Sequence, residues 1–231
     1  MSSTQQYWDK NHEEFEYKEK GQSLYAETKQ KLFSQNSLVC DVGGGQGSDA
    51  LHFLEHGHSV IFIDTSPIGI KIAEQRIQAK GFTENFKTLQ VTLGEQSIPL
   101  EDNSVDIIYS RLGLHYFDEA TTIQVFKDLH RILKPGGKAY ICVKSPNDTQ
   151  DNVVEIEYLR ANSKEISPGV FLDKEDHLVS RFSTEQWQEI LAKAGIKDFT
   201  VKEYIEDLSN RVDKTRSGSI KLLLNDIEFS K

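Results

Sequence analysis

Short apolar runs alternate with segments of helical periodicity between residues 38 and 145. The runs end at glycine or at polar residues, and the segments between them place apolar side chains three or four positions apart. This alternation is typical of a mostly parallel sheet whose strands are joined by right-handed helical crossovers. Five strands are predicted in this stretch: Leu38–Val42, Ser59–Ile63, Leu89–Leu93, Val105–Tyr109 and Ala139–Val143.

Helix boundaries are recognisable between these strands. Ser66 followed by Pro67 is typical of an N-cap and a first helical residue, and Gly81 is typical of the end of that helix. A helix over residues 48–56 is expected before it. A later helix is expected to end at the sequence Pro135-Gly136-Gly137, where proline and glycine cannot continue it.

The pattern becomes irregular after Ser145. Residues 146–181 are polar and mixed, and we expect an insertion over a substrate site rather than a separate domain. A helix is predicted over residues 184–194, capped by Ser183 or Thr184. The last two strands are expected at Phe199–Ile205 and Ile220–Ile227, with a charged loop over 206–219 between them.

The whole chain, residues 1–231, is therefore expected to form one α/β domain. We predict a Rossmann-like, seven-stranded, mostly parallel sheet with helices on both faces and an antiparallel last strand. Residues 1–30 are charged and partly helical in pattern, and they are expected to form an N-terminal arm.

Composition narrows the range of partners. The formal net charge is −9, which lacks the basic footprint of a nucleic-acid-binding protein and favours small-molecule ligands. Neither a long apolar span nor a secretory signal is visible, so we expect a soluble cytoplasmic protein, monomeric or homodimeric. Cys40 and Cys142 lie inside apolar runs and are expected to be buried thiols; no metal site is predicted.

Glycines follow the first predicted strand at positions 43, 44, 45 and 47. A strand that ends in glycines and opens a helix gathers backbone N–H groups at one point and lets a ligand approach the backbone. Asp64 ends the second strand, where an acid can accept both hydroxyls of a ribose. The glycine loop and Asp64 together predict a site for a ligand that contains adenosine.

Three interpretations of this loop remain open at this point. A nicotinamide-dependent oxidoreductase would use a similar loop, but Gly47 falls one residue earlier than the third glycine of the pattern G-x-G-x-x-G. A tight turn without a ligand and a non-catalytic cofactor-binding protein are the other two.

Five motifs, taken together, resemble the class I S-adenosylmethionine-dependent methyltransferases. They follow one another in the order and with the spacing of that family, over residues 38–47, 60–66, 98–108, 131–137 and 182–195. Ser110–Phe117 and Val143–Ser145 are similar to small bacterial members of the tellurite-resistance type. The resemblance implies S-adenosylmethionine as the cofactor and methyl transfer to a small molecule by in-line displacement.

The resemblance also implies roles for matching positions. The cofactor would be contacted by Asp41, Gly43, Gly44, Gly45, Gly47, Asp64, Thr65, Ser110 and Arg111. Family members often carry an acid that bonds the adenine amino group where this chain has Gly94, so Glu95 and Gln96 are the candidates for that contact. The N-terminal arm would act as a lid over the cofactor.

The acceptor side is predicted less specifically. His115 follows the fourth strand and could act as a general base, or it could cap or pack. Candidates for substrate contact are Tyr7, Trp8, His115, Tyr116, His177 and Arg181, while His177 and Arg181 could also form a surface pair. Arg111 could hold a carboxylate or be solvated. The remaining histidines, His12 among them, are expected on helix surfaces.

Nucleobase amino methyltransferases often carry an Asn- or Asp-Pro-Pro-aromatic sequence after the fourth strand. This chain has Ser110-Arg111-Leu112-Gly113 there. The difference adds to the acidic charge in arguing against a DNA or RNA substrate.

Overall fold

The computed structural model describes residues 3–14, 21–150, 153–174, 177–208 and 221–231. Its helices are α1 Ser3–Glu14, α2 Leu24–Gln30, α3 Ser48–Glu55, α4 Pro67–Ala79, α5 Glu119–Ile132, α6 Glu155–Asn162 and α7 Thr184–Lys193. Its strands are β1 Leu38–Val42, β2 Ser59–Asp64, β3 Phe86–Gln90, β4 Val105–Arg111, β5 Leu133–Lys144, β6 Thr149–Gln150, β7 Val153–Val154, β8 Lys164–Ser167, β9 Val170–Leu172, β10 Leu178–Ser180, β11 Asp198–Asp207 and β12 Lys221–Ser230.

Seven of these strands form one sheet in the order β11-β12-β5-β4-β1-β2-β3. β1 pairs in parallel with both β2 and β4, while β12 runs antiparallel to both of its neighbours, β5 and β11. The predicted Rossmann-like fold with an antiparallel last strand is therefore confirmed. Because the chain winds outward in two directions from β1, a crevice opens at the carboxyl ends of β1 and β4.

Helices cover both faces of the sheet, as predicted. One face packs against α5 and α7 through Phe126 and Trp187, and the other packs against α2, α3 and α4 through Tyr25, Phe53 and Ile77. A strand buried on both faces needs apolar residues at successive positions, which is why β1 and β2 are continuous apolar runs in the sequence.

Three predicted boundaries were wrong. β3 ends at Gln90, so Val91 and Leu93 follow the strand instead of lying in it. β5 begins at Leu133 instead of Ala139. The helix before it, α5, already ends at Ile132, and the sequence Pro135-Gly136-Gly137 lies inside β5, at an irregularity in its pairing with β4. The last strand continues to Ser230 instead of ending at Ile227, while its predicted first residue, Ile220, and most of the predicted loop over 206–219 lie outside the described residues.

Residues 146–181 hold more regular structure than their polar sequence indicated. β6 and β7 form a short hairpin, α6 follows, and β8, β9 and β10 form a separate three-stranded sheet in the order β10-β9-β8. β10 is joined to the main domain by a hydrogen bond from the Ser180 N–H to the His115 carbonyl, 2.9 Å long. This insertion therefore rests on the loop that follows β4.

Within the described part of the chain, no helix combines the length and apolar character needed to cross a bilayer. The same residues contain no group of histidine, cysteine and acidic side chains arranged to hold a metal ion. Cys40 and Cys142 are both fully buried, as predicted.

Candidate active site

The backbone of the glycine loop between β1 and α3 has a conformation that residues other than glycine rarely adopt. Gly43, Gly45 and Gly47 have φ angles of 68°, 61° and 76°, which lie in the left-handed region. A Cβ at Gly44 would lie 2.2 Å from the ring of Phe62. The N–H of Gly43 donates to the carbonyl of Ile63 over 2.8 Å, so the loop is fastened to β2. The sequence is rich in glycine here because three positions have a positive φ angle and a fourth has no room for a Cβ.

Asp64 lies at the carboxyl end of β2, beside this loop. Its carboxylate accepts hydrogen bonds from the N–H of Gly45 over 2.8 Å and from that of Ser66 over 2.9 Å. Burial raises the pKa of Asp64, and these hydrogen bonds, together with the charge of His12, oppose that rise. A carboxylate has about four acceptor positions, so Asp64 keeps capacity for further donors. Its neighbour Thr65 shares a 2.8 Å hydrogen bond with Thr92.

Two further acids, Asp41 and Asp49, lie at the glycine loop. Asp41, at the end of β1, is 1% exposed, and among the described residues its Oδ2 has no hydrogen-bond partner. Asp49, in the first turn of α3, accepts from the Ser23 N–H and the Tyr109 hydroxyl over 2.6 and 2.7 Å. Burial raises the pKa of Asp41, and the charges of Asp49 and Asp64 raise it further. Three neighbouring acids make the loop favourable for a cation.

Gly94 stands where the resemblance would place an acid that bonds the adenine amino group. Its φ is 82°, and a Cβ there would lie 2.4 Å from the Thr121 methyl group on α5. The chain therefore packs against α5 too closely for a side chain at this position. The adenine candidates Glu95 and Gln96 are exposed and line an open pocket together with Asp128.

Ser110 and Arg111 end β4, next to the glycine loop. The Ser110 hydroxyl donates to the Val42 carbonyl over 2.7 Å, which ties β4 to the residue that precedes the glycines. The guanidinium of Arg111 forms an ion pair with Glu206 of β11, which is fully buried. The Arg111 side chain is 23% exposed and its guanidinium is paired with this buried carboxylate, while the contact of its backbone carbonyl with the cofactor stays a prediction.

His115 lies in the loop after β4 and is only 2% exposed. Within the described chain, its Nδ1 has no hydrogen-bond partner. Burial lowers the pKa of His115 well below the ordinary histidine value, and the charges of Arg181 and Lys144 lower it further. The imidazole is therefore neutral at neutral pH, and its unprotonated ring nitrogen can accept a hydrogen bond.

The charges around His115 are balanced. Arg181 donates two hydrogen bonds to Glu155, of 3.0 and 2.8 Å, and a third to the Ser180 carbonyl. Lys144 Nζ lies 3.6 Å from Glu155 and 3.8 Å from Asp148. Two cations thus face two carboxylates.

Arg181 is buried, and it shares no helix with His177. The alternative of a surface pair of these two residues was therefore wrong for Arg181.

Aromatic rings connect α1 to the loop and to the insertion. The Trp8 ring meets the Tyr116 ring edge to face, with centroids 4.9 Å apart, and the Tyr7 ring lies 3.9 Å from that of His177. Tyr116 also packs against His115, with centroids 4.5 Å apart. The structure therefore brings the predicted acceptor-side residues into one region above the carboxyl ends of β4 and β5.

Two residues of α1 were not predicted at the site. Asp9 accepts a hydrogen bond from the hydroxyl of Ser66, and His12 is 9% exposed instead of lying on the helix surface. Burial lowers the pKa of His12, while the charges of Asp64 and Asp9 oppose this. The sequence of α1 carries no apolar stripe that could have indicated which of its sides is buried.

The profile of a family described as a methyltransferase domain matches residues 39–137. Over 133 residues, the chain is 28% identical to a sterol 4-C-methyltransferase of Caenorhabditis elegans, covering 56% of this chain and 39% of that protein. Over 103 residues, it is 33% identical to a tRNA 5-carboxymethoxyuridine methyltransferase of Escherichia coli, covering 45% and 38%. The matches span about two fifths of the length of these curated relatives.

Solved structures extend the likeness to nearly the whole chain. A structure described as a SAM-dependent methyltransferase from Methanosarcina mazei aligns with a TM-score of 0.69 and 22% identity, covering 91% of this chain and 99% of that one. The YcgJ protein of Bacillus subtilis aligns with a TM-score of 0.64 and 20% identity, covering 90% and 97%. At these identities the likeness establishes a common fold.

Proposed function

Since the chain belongs to the class I S-adenosylmethionine-dependent methyltransferase family, we propose that it transfers the methyl group of S-adenosylmethionine to a small-molecule acceptor. The reaction is an in-line displacement that needs no covalent intermediate on the protein. It depends on the alignment of the acceptor with the methyl group and on the exclusion of water.

The acids around the glycine loop are the observation that carries this proposal. S-adenosylmethionine has a positively charged sulfur and a positively charged amino group, whereas a nicotinamide dinucleotide has a pyrophosphate with two negative charges. Asp41 interacts electrostatically with both Asp49 and Asp64 at the loop. In a poorly solvated site, such a cluster attracts a cation and repels a pyrophosphate.

The residues present also fit this cofactor. The orphaned Oδ2 of Asp41 is an acceptor for the methionine amino group, directly or through water. Asp64 has acceptor capacity left for the ribose hydroxyls, and glycine at positions 43 and 45 lets the ligand lie against the backbone. Asp64, the glycine loop and Asp41 would then orient the cofactor along the crevice between β1 and β4.

His115 completes the acceptor side of this mechanism. When bound, S-adenosylmethionine would supply an electrophilic methyl group on a cationic sulfur. His115 is the candidate to take the proton of a hydroxyl or amine acceptor, while a thiolate acceptor needs no base. Because His115 lies beneath the insertion, this site favours a small acceptor over a macromolecule.

The cofactor assignment is tested by calorimetry with S-adenosylhomocysteine and NAD. We expect S-adenosylhomocysteine to bind and NAD to give no heat of binding. Binding of NAD without binding of S-adenosylhomocysteine would favour the oxidoreductase alternative.

Turnover is tested by release of S-adenosylhomocysteine with panels of thiols, phenols, alcohols and amines, and with bulk tRNA. We expect release with at least one class of small molecule. Release with tRNA alone would contradict the proposed acceptor class, and cofactor binding without release in every panel would indicate a non-catalytic binding protein.

A further inference from the structure

Two cations act on His115, and they differ in how their hydrogen-bond donors are used. Arg181 donates twice to Glu155 and once to a backbone carbonyl, so the protein itself holds its guanidinium. Lys144, the last residue of β5, donates no hydrogen bond through its ammonium within the described chain. The carboxylates of Glu155 and Asp148 lie 3.6 and 3.8 Å from that nitrogen, which is too far for hydrogen bonds. Lys144 therefore keeps its donors for a ligand.

The position of the Lys144 ammonium is set by two carboxylates that are anchored elsewhere. Glu155 is held by the guanidinium of Arg181. Asp148 is 1% exposed, and one of its oxygens accepts a 2.8 Å hydrogen bond from the N–H of Leu223. Opposite charges this close attract one another strongly in a poorly solvated place. The ammonium is thus fixed beside a neutral imidazole, with free donors that suit an anionic oxygen.

The chemistry of His115 indicates which acceptor group this arrangement serves. Burial lowers the pKa of His115, so its neutral ring is a weak base. A nearby ammonium stabilises the oxyanion that forms when a hydroxyl loses its proton, and so compensates for the weak base. An amine acceptor would gain positive charge beside two cations, and a thiol ionises near about pH 8.5 without a base. A hydroxyl acceptor therefore uses both His115 and Lys144.

Aromatic rings border the same place. The Tyr116 ring lies 4.5 Å from that of His115, and the Trp8 ring meets the Tyr116 ring edge to face at 4.9 Å. Flat aromatic ligands pack well against such rings through offset stacking and edge contacts. A phenol hydroxyl has a pKa of about 10, as in tyrosine, whereas an aliphatic alcohol is far less acidic. Phenols thus match both the aromatic surroundings and the weak base.

We propose that phenols are the acceptor class of this site and that Lys144 is a catalytic residue that stabilises the ionised phenol oxygen. The O–H bond of the acceptor breaks, its electron pair stays on the oxygen beside Lys144, and the proton passes to the unprotonated ring nitrogen of His115. The net reaction of a phenol with S-adenosylmethionine gives a methyl ether, S-adenosylhomocysteine and one proton, which His115 releases to solvent. The inference rests on the proposed function, since it takes the place beside His115 as the acceptor site.

The first experiment follows the ionisation of bound para-nitrophenol, whose phenolate absorbs at a longer wavelength than the phenol. The probe is titrated with pH in the presence of wild-type protein and saturating S-adenosylhomocysteine. We expect the ionisation constant of the bound probe to exceed that of the free probe about tenfold or more, because an opposite charge at contact favours the anion. An ionisation constant equal to or below that of the free probe would overturn the role of Lys144. Failure of para-, meta- and ortho-nitrophenol to give a saturable spectral change would overturn the acceptor class.

The second experiment repeats the titration with variants. Lys144→Met removes the charge and keeps most of the side-chain length, and we expect the ionisation constant of the bound probe to fall about tenfold or more from the wild-type value. Lys144→Arg keeps the charge and is expected to recover most of this loss. Lys138→Met is the matched control, because Lys138 is exposed on the same strand, and its ionisation constant is expected to equal that of the wild type. Circular dichroism and S-adenosylhomocysteine affinity check that the variants keep their fold.

The sign of the change separates a direct role of Lys144 from an indirect one. The charge of Lys144 also lowers the pKa of His115, so its removal makes His115 a stronger base. If Lys144 acted only through His115, Lys144→Met would leave the ionisation of the bound probe unchanged or increase it. Either of these results would overturn the proposal.

The proposed function and this inference fail in different ways. If the wild-type protein binds no S-adenosylhomocysteine at equilibrium, the proposed cofactor is wrong, and the role of Lys144 is wrong as well. If the wild-type protein binds S-adenosylhomocysteine and releases it with thiols or amines but not with phenols, methyl transfer to a small molecule stands. The phenol class and the role of Lys144 alone are then wrong.

Discussion

Asp64 combines a structural and a ligand-binding role in one carboxylate. It holds the N–H of Gly45, which shapes the glycine loop, and it is the acid at the end of β2 that would accept the ribose hydroxyls. Asp64→Ala is therefore expected to weaken S-adenosylhomocysteine binding at least ~10-fold, which corresponds to ~1.4 kcal/mol. Calorimetry measures this change, with Asp102→Ala as a control in an exposed loop. Unchanged affinity would contradict the ribose assignment.

His115 makes the stability of the protein depend on pH. Burial, with the charges of Arg181 and Lys144, holds its folded-state pKa well below the unfolded value of about 6.5. As pH falls below that value, the unfolded chain takes up a proton that the folded chain does not, and the free energy of unfolding decreases. This residue contributes at most about 1.4 kcal/mol per pH unit.

The variant His115→Gln lacks this titration. Its free energy of unfolding is expected to decrease less than that of the wild type when the pH is lowered from about 7 to about 5. Urea unfolding of both proteins at the two pH values gives the comparison, and all other titrating groups are common to both. An equal decrease would contradict a buried neutral imidazole at this position.

The place of an individual residue in the fold can be predicted from the sequence where a local rule determines it. Gly43, Gly45 and Asp64 could be assigned to strand ends because glycine conformation and strand length are local properties. The partner of Arg111 could not be assigned, since Glu206 is 95 positions away and is brought close only by the strand order. His12 was misplaced for the same reason, because its burial depends on how α1 docks.

Among the helices, α7 has an N-terminal boundary whose contribution to stability can be measured. Ser183 is its N-cap: the hydroxyl accepts from the N–H of Gln186, and the Gln186 side chain accepts from the N–H of Ser183. Ser183→Ala is expected to decrease the free energy of unfolding by about 1 kcal/mol. Thr184→Ala is the matched control, because within the described chain the Thr184 hydroxyl bonds the exposed side chain of Glu185 and caps no backbone N–H. Equal losses in urea unfolding would contradict the assignment of the cap.

Strands were predicted better than the connections between them. Interior parallel strands must be apolar on both faces, so β1, β2 and β4 stand out in the sequence. The start of β5 was missed because the N–H of Gly136 bonds the carbonyl of Lys231, a contact with the far end of the chain. The insertion was expected to be irregular, since β8 to β10 are short and depend on support from the loop that contains His115.

For the whole molecule, a buried ionic network attaches α2 to the edge of the sheet. Lys29 Nζ lies 2.8 Å from Asp226 and 2.7 Å from Glu228, both on β12, and its side chain is 6% exposed. The Tyr25 hydroxyl donates to Asp226 over 2.7 Å, and the Tyr25 N–H donates to Glu206 on β11. These contacts join elements that are about 200 residues apart in sequence.

The contribution of this network to the free energy of unfolding can be tested by the removal of one of its members. Lys29→Met keeps most of the side-chain volume but leaves Asp226, whose side chain is 2% exposed, without its main counter-charge. Because an unpaired buried charge is costly, the free energy of unfolding is expected to decrease by about 3–5 kcal/mol. Lys193→Met is the control, since its pair with Glu119 is solvent-exposed and its loss is expected to change the free energy of unfolding far less. A small loss in Lys29→Met would mean that Lys202, 3.7 Å from Asp226, compensates the charge and that the attachment of α2 does not depend on Lys29.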